Sequence, residues 1–110
     1  MSDRMLKINE LLRQQLGEII NEEIEMPANT LVTIIRVSTS PDLHYTRAMI
    51  GVIPDENSEQ VVGLLNRRAK HFRKILGDKI TLRFLPQISF ALDESERKAY
   101  ELDRLLDNLK

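Results

Sequence analysis

Apolar residues recur every three or four positions over three stretches of the chain and every second position over others, which predicts an ordered series of helices and strands. Met5, Ile8, Leu12, Leu16, Ile19 and Ile20 form the stripe of a first helix, widened by Leu11, while Glu10, Glu18, Glu22, Glu23 and Glu25 face water. Ser2 or Asp3 would cap its start. Gly17 weakens it by about 1 kcal/mol against alanine. Pro27 ends it near Glu25, because the residue before a proline avoids helical dihedrals. Leu31 to Thr39 is rich in β-branched residues and predicts a strand, with Thr33, Ile35 and Val37 towards the core and Arg36 outside. Ser40-Pro41-Asp42 is turn chemistry. Tyr45 to Ile53 predicts a second strand, Thr46, Ala48, Ile50 and Val52 on one face and Tyr45, Arg47 and Met49 on the other, so the pair reads as a hairpin.

After a turn over Pro54 to Ser58, with Asn57 or Ser58 as cap, a central helix carries its apolar stripe at Val61, Leu65, Ala69, Phe72 and Leu76. Gly77 is expected to stop it. Alternation from Lys79 predicts a third strand with Ile80, Leu82 and Phe84 inward, in phase with Pro86, Ile88 and Phe90. Pro86 cannot donate to a ladder and marks an edge strand or a bulge. Asp93 and Glu96 stand at capping-box spacing before a last helix striped by Ala99, Leu102, Leu105, Leu106 and Leu109. The predicted class is α+β, an α-β-β-α-β domain over 1–92 followed by a C-terminal amphipathic helix over 93–110.

Composition changes this picture little. The chain has 110 residues, enough for a single domain with a modest core, and no cysteine, which removes disulfides and thiolate metal sites and suits a reducing compartment. No stretch approaches the roughly 20 apolar residues that span a bilayer, and Arg4, Lys7 and Glu10 interrupt any apolar signal core, so the expectation is a soluble cytoplasmic protein with no membrane partner.

Charge changes it more. The net charge of −1 argues against a generic polyanion binder, yet between Arg67 and Lys79 six Lys or Arg residues meet one acid, Asp78. Arg67, Lys70, His71 and Lys74 fall on the side of the central helix opposite its apolar stripe, with Arg68, Arg73 and Lys79 flanking them. A cationic helix on a small sheet is the electrostatic footprint of a nucleic-acid binder; the plainer reading is a solvated face that keeps a small protein soluble. His71, among these cations, could stack on a base or bond a phosphate, or have no role. Arg36, Arg47 and Arg83, one on each predicted strand's outer face, could form a second patch or simply keep an uncovered sheet wet.

Catalytic chemistry is nearly absent from the sequence. Asp42, His44, Ser38 and Ser40 lie close together but without a motif around them, and such residues in a turn are usually turn chemistry. The four glycines are scattered, which excludes a Gly-rich phosphate loop, and the two histidines have no metal-ligand spacing. No enzyme activity, cofactor, metal or small-molecule substrate is expected.

The element order is that of a type II K-homology-like domain, whose three-stranded mixed sheet carries helices on one face. Particular residues narrow the likeness. Lys7-Ile8-Asn9-Glu10, Val37-Ser38 with Pro41-Asp42-Leu43, and Phe72-Arg73-Lys74-Ile75-Leu76-Gly77 followed by Leu82-Arg83-Phe84-Leu85-Pro86-Gln87-Ile88-Ser89-Phe90 and Asp93-Glu94-Ser95 resemble the ribosome-binding factor A family from about Arg4 to Ser95. The resemblance implies a bacterial cytoplasmic, non-catalytic assembly factor; a monomer is expected. It implies as partners the small ribosomal subunit and its 16S rRNA, with a role in late maturation and 5′-end processing, especially in the cold. The family usually carries Ala-x-Gly where its central helix kinks; here Arg68-Ala69-Lys70 occupies that place. Without the glycine, the expectation is either a continuous helix of about 20 residues or a residual bend at Ala69, a small residue on the core stripe.

The residues expected to contact RNA are therefore Arg67, Arg68, Lys70, His71, Arg73, Lys74 and Lys79, with Arg36, Arg47 and Arg83 as a secondary set. The rival readings are a protein-interaction module built on the cationic helix and the C-terminal helix, and a general K-homology RNA binder with no ribosomal role.

Overall fold

The structure is a computed structural model that describes residues 3–108, with the side chains of Glu96, Arg97, Lys98 and Tyr100 left out of the description. Two expectations, a cap from Ser2 and an apolar contact from Leu109, lie outside the described residues, as does the Glu96 half of the capping box. The elements run α1 (Asp3–Glu23), β1 (Leu31–Thr39), β2 (Tyr45–Ile53), a 3-10 turn (Asp55–Asn57), α2 (Ser58–Arg67), α3 (Ala69–Lys79), β3 (Gln87–Leu92) and α4 (Ser95–Asn108).

The strands lie in the order β1-β2-β3, β1 antiparallel to β2 and β2 parallel to β3. A parallel pair needs a long crossover, and α2 with α3 supplies it. One face of the sheet packs on α1, α2 and α3. Leu12, Leu16, Ile19 and Ile20 from α1, Val61 and Leu65 from α2, and Phe72 and Leu76 from α3 are buried against Ile34, Ala48, Ile50, Val52, Ile88 and Phe90. Phe72 meets Phe90 edge to face, ring centroids 5.9 Å apart, the favourable geometry for two aromatic quadrupoles. The other sheet face is not covered by α1, α2 or α3, and Leu31, Ile35, Tyr45 and Ile53 remain exposed on it.

The inward phase of β2 is as the alternation predicts, but that of β1 is not. A bulge between Ile34 and Arg36 leaves Ile35 without a partner and reverses the phase. Val32 and Ile34 point inward before it, Val37 and Thr39 after it, so Thr33 and Ile35 are exposed while Arg36 still faces out. Asn57 precedes α2 without a side-chain cap; its amide instead donates to Thr30 Oγ1 at 2.8 Å.

Around the central helix one open alternative is decided and two expectations fail. The helix is not continuous but interrupted beside Ala69: Arg68, at φ −99° and ψ 2°, separates α2 from α3. Its N–H turns back to the Leu65 carbonyl at 3.1 Å, a tightened last turn, while its own carbonyl accepts from Phe72 at 3.0 Å and starts the next helix. Gly77 does not stop α3, which runs on to Lys79. Gly77 allows a close approach, since a Cβ there would lie 2.9 Å from Leu85 Cδ2 and that side chain would have to shift. And the alternating segment after Lys79 is not a strand: 80–86 is irregular and β3 begins only at Gln87. Arg73 explains part of this, because its guanidinium donates to the carbonyls of Leu85 at 2.7 Å and Pro86 at 3.0 Å and so occupies groups a ladder would use. Pro86 is buried directly before β3, and Phe84, expected inside, is 48% exposed.

Candidate nucleic-acid interface

The site is built on the corner between α2 and α3. Amphipathic patterning buries Val61, Leu65, Phe72 and Leu76, which leaves Arg67, Arg68, Lys70, His71, Arg73, Lys74 and Lys79 exposed on the outward side. Ala69 is half-buried at the first position of α3, packed against the core, so the small side chain lets the new helix start close to the sheet. Asn66 fixes the corner to β3: its Oδ1 accepts from the Phe90 N–H at 2.8 Å and its Nδ2 donates to the Phe90 carbonyl at 3.0 Å. The sequence assigns Asn66 no role, because its bond to Phe90 joins residues 24 apart that no local pattern links.

The predicted cations are not equivalent. Arg73 is committed to the backbone of Leu85 and Pro86 and acts as a brace. His71 Nε2 lies 3.7 Å from Glu23 Oε2, and Lys79 Nζ lies 3.6 Å from Glu22 Oε2, so the end of α1 faces these two with acids. Among the described residues, Arg67, Arg68, Lys70 and Lys74 form no ion pair. The Arg67 guanidinium folds back along α2, where a Cβ on Gly63 would stand 3.2 Å from its Nη1. No side chain caps α3, so the break adds helix-start N–H groups to a neighbourhood already rich in cations, an arrangement suited to phosphate.

The secondary patch is not assembled. Arg36 and Arg47 are diagonal neighbours on the open sheet face, but Arg36 turns to Asp93, 3.8 Å away, and to Ser95 Oγ at 3.4 Å. Asp93 accepts from the Ser95 N–H at 2.9 Å; Ser95 chiefly, with Arg36 adding a smaller push, holds its carboxyl below the ordinary range. Arg83 belongs to no strand; it sits in the 80–86 segment with its guanidinium 5.6 Å from the centre of the Phe84 ring. In the hairpin turn, Asp42 accepts from Ser40 Oγ at 2.6 Å and from the His44 N–H at 3.0 Å, which lowers its pKa, the Ser40 hydroxyl contributing most. Ser40 Oγ also accepts from the Tyr45 N–H at 3.0 Å. The Ser-His-Asp grouping is thus turn chemistry.

Among the described residues there is no cluster of three or more His, Cys, Asp or Glu side chains able to hold a metal ion, and no helix is long and apolar enough to cross a membrane. The model of the ribosome-binding factor A family matches residues 4–106. A ribosome-binding factor A of Phenylobacterium zucineum is 39% identical over 112 aligned positions, covering 99% of this chain and 77% of the relative. This chain belongs to the ribosome-binding factor A family.

The fold agrees. The crystal structure of ribosome-binding factor A from Thermus thermophilus superposes with a TM-score of 0.72 at 20% identity, covering 80% of this chain and 94% of that one. A homology model of the Thermus thermophilus factor fitted into a cryo-EM map of its complex with the 30S subunit gives a TM-score of 0.66 at 22% identity, covering 78% and 91%. The architecture is K-homology-like, and its central helix breaks at Arg68, directly before Ala69 and Lys70.

Proposed function

We propose that this ribosome-binding factor A family member binds the small ribosomal subunit through the α2–α3 corner and assists its late maturation, including 5′-end processing of 16S rRNA, without catalysis. The observation that carries the reading is the uncapped start of α3 at Arg68, ringed by Arg67, Lys70 and Lys74 with no acidic partner among the described residues. Phosphates of folded rRNA supply the matching anions, and contact with them positions the protein without reading sequence. Family membership supports the small subunit as the target, as does the complex described for the Thermus thermophilus factor. The factor would act in the cytoplasm as a monomer, released before translation, with its greatest effect in the cold.

Within this reading Arg67, Arg68, Lys70 and Lys74 make the primary contacts, His71 and Lys79 contribute once drawn from Glu23 and Glu22, and Arg73 contributes indirectly by bracing 80–86. Residues 93–110 form an extension to the RNA-binding domain of 1–92. Reversing charge in an Arg67→Glu, Lys74→Glu double variant tests the assignment. Neither side chain is in the core, so the variant should melt as wild type and lose most of its retention on small subunits. Unchanged retention would refute it.

A second reading is supported by α4, whose Leu102, Leu105 and Leu106 are exposed at 56%, 61% and 52%. A protein-interaction module would pair that stripe with a second copy and set the cationic helix on an acidic protein surface, giving dimers in sedimentation and a salt-sensitive complex with protein alone.

A further inference from the structure

We propose that the hairpin-tip end of the molecule is a second RNA site, distinct from the α2–α3 corner, that takes an unstacked base from a single-stranded segment. The inference rests on the proposed function for the class of ligand, RNA, but not for its place on the protein. Arg4 and Lys7 from the first two turns of α1, Arg83 from the 80–86 segment, and Leu43 from the hairpin turn converge around an open cavity of about 420 Å³. Ile8, Thr81 and Leu82 complete its wall, so three cations surround a partly apolar floor.

Beside this cavity lies an aromatic platform. Of the three phenylalanines, Phe72 and Phe90 are buried, whereas Phe84 is 48% exposed. The Arg83 guanidinium stands over the Phe84 ring, and the His44 ring is 5.4 Å from it. The Tyr45 ring, 59% exposed, is 6.4 Å from that of His44. An exposed aromatic ring next to an arginine plane and further cations is what a splayed base and its phosphates require: stacking for the ring, charge for the backbone.

Two of the three local acids are engaged away from these cations. Asp42 is turned into its own turn by Ser40 and His44, and Glu10 is paired with Arg13. Asp3, at the first residue of α1, is the one exposed carboxylate near Arg4 in sequence that forms no ion pair among the described residues. The site has its own support in the fold. The Gln87 N–H bonds the His44 carbonyl at 2.8 Å, and the Arg73 brace holds Leu85 and Pro86, so Phe84 sits on a segment pinned at its C-terminal side. The corner at Asn66 is held further along β3, at Phe90.

The test uses the full chain and two fluorescent probes, a single-stranded oligouridylate of about 12 nucleotides and an RNA duplex of similar length, a span that a small module can cover. Phe84→Leu keeps an apolar side chain but removes the ring. It should weaken single-strand binding by roughly tenfold, in the range for loss of one stacked base, and leave duplex binding unchanged; Phe84→Tyr should restore it. Lys7→Gln with Arg83→Gln should flatten the salt dependence of single-strand binding. If Phe84→Leu binds the single strand as tightly as wild type, the second site is wrong. That failure is separable from failure of the proposed function, which would show as wild-type protein not retained on small subunits while it still discriminates the two probes.

Discussion

Asn66 holds Phe90 by both main-chain groups, accepting from its N–H at 2.8 Å and donating to its carbonyl at 3.0 Å. β3 is an edge strand, so one side of it has no neighbouring strand. Asn66 stands where such a neighbour would bond, and it comes from the last turn of α2, immediately before the break at Arg68. One side chain therefore satisfies a strand edge and sets where the cationic corner lies relative to the sheet.

Asn66→Ala should cost about 1–2 kcal/mol, because it orphans two backbone groups of a buried residue. The loss should appear in chemical denaturation, with faster hydrogen exchange at the Phe90 amide. If stability were unchanged, the two hydrogen bonds would not anchor the corner.

Arg73 and Lys74 are neighbours in sequence with different work. Arg73→Ala frees the Leu85 and Pro86 carbonyls and should destabilise the domain by about 1–2 kcal/mol. Lys74→Ala is exposed and should fall within about 0.5 kcal/mol of wild type. Equal effects on the melting curve would remove the distinction between brace and ligand contact.

Two helical glycines should respond differently to alanine. At Gly17 a Cβ would meet nothing within 4 Å, so Gly17→Ala should stabilise by about 0.5–1 kcal/mol through helix propensity alone. At Gly77 the same propensity gain is opposed by contact with Leu85 Cδ2 at 2.9 Å. Gly77→Ala should gain less than Gly17→Ala, and an equal or larger gain would mean that 80–86 does not pack on α3 as described.

Much of this molecule is legible in its sequence, and the parts that are not have local causes. The apolar stripes of α1, α2 and α3 identify the core because helical periodicity is sustained over many residues. The phase of β1 was hidden by one residue, since a bulge at Ile35 reverses every later side chain. Lys79 to Phe84 alternates like a strand, yet helix α3 passes through Gly77 and the Arg73 brace fixes the end of the 80–86 segment. The corner cations could be read from charge segregation. Their differences could not, because the carboxylates that engage His71 and Lys79 come from α1, far away in sequence. The break itself occurs without Gly or Pro in the chain at 68–70, so composition gave no cue to it.

Acid should weaken the hairpin and the start of α4 together. Asp42 and Asp93 both titrate below the ordinary 3.8 in the folded protein, Asp42 through Ser40 and then His44, Asp93 through Ser95 and then Arg36. A depressed carboxylate contributes stability that is complete above the unfolded-state value and drains away as pH falls through the lower folded-state value. Denaturation midpoints should therefore decline as pH drops from about 5 towards 2. Asp42→Asn and Asp93→Asn should each make that decline shallower. An unaltered acid profile in both variants would contradict the hydrogen bonds assigned to these carboxylates.

In the proposed function the α2–α3 corner seats this protein on the small ribosomal subunit by charge. The most direct test is co-sedimentation of the purified chain with small subunits, large subunits and naked RNA across a salt series. Selective retention on small subunits is expected, lost steeply with salt at a slope of about −0.7 to −0.9 for each phosphate neutralised, with a shallower slope for Arg67→Glu with Lys74→Glu. Equal retention on all three would contradict a small-subunit factor and leave a general RNA binder. Selective retention that ignores salt and the double variant would place the contact elsewhere on the protein.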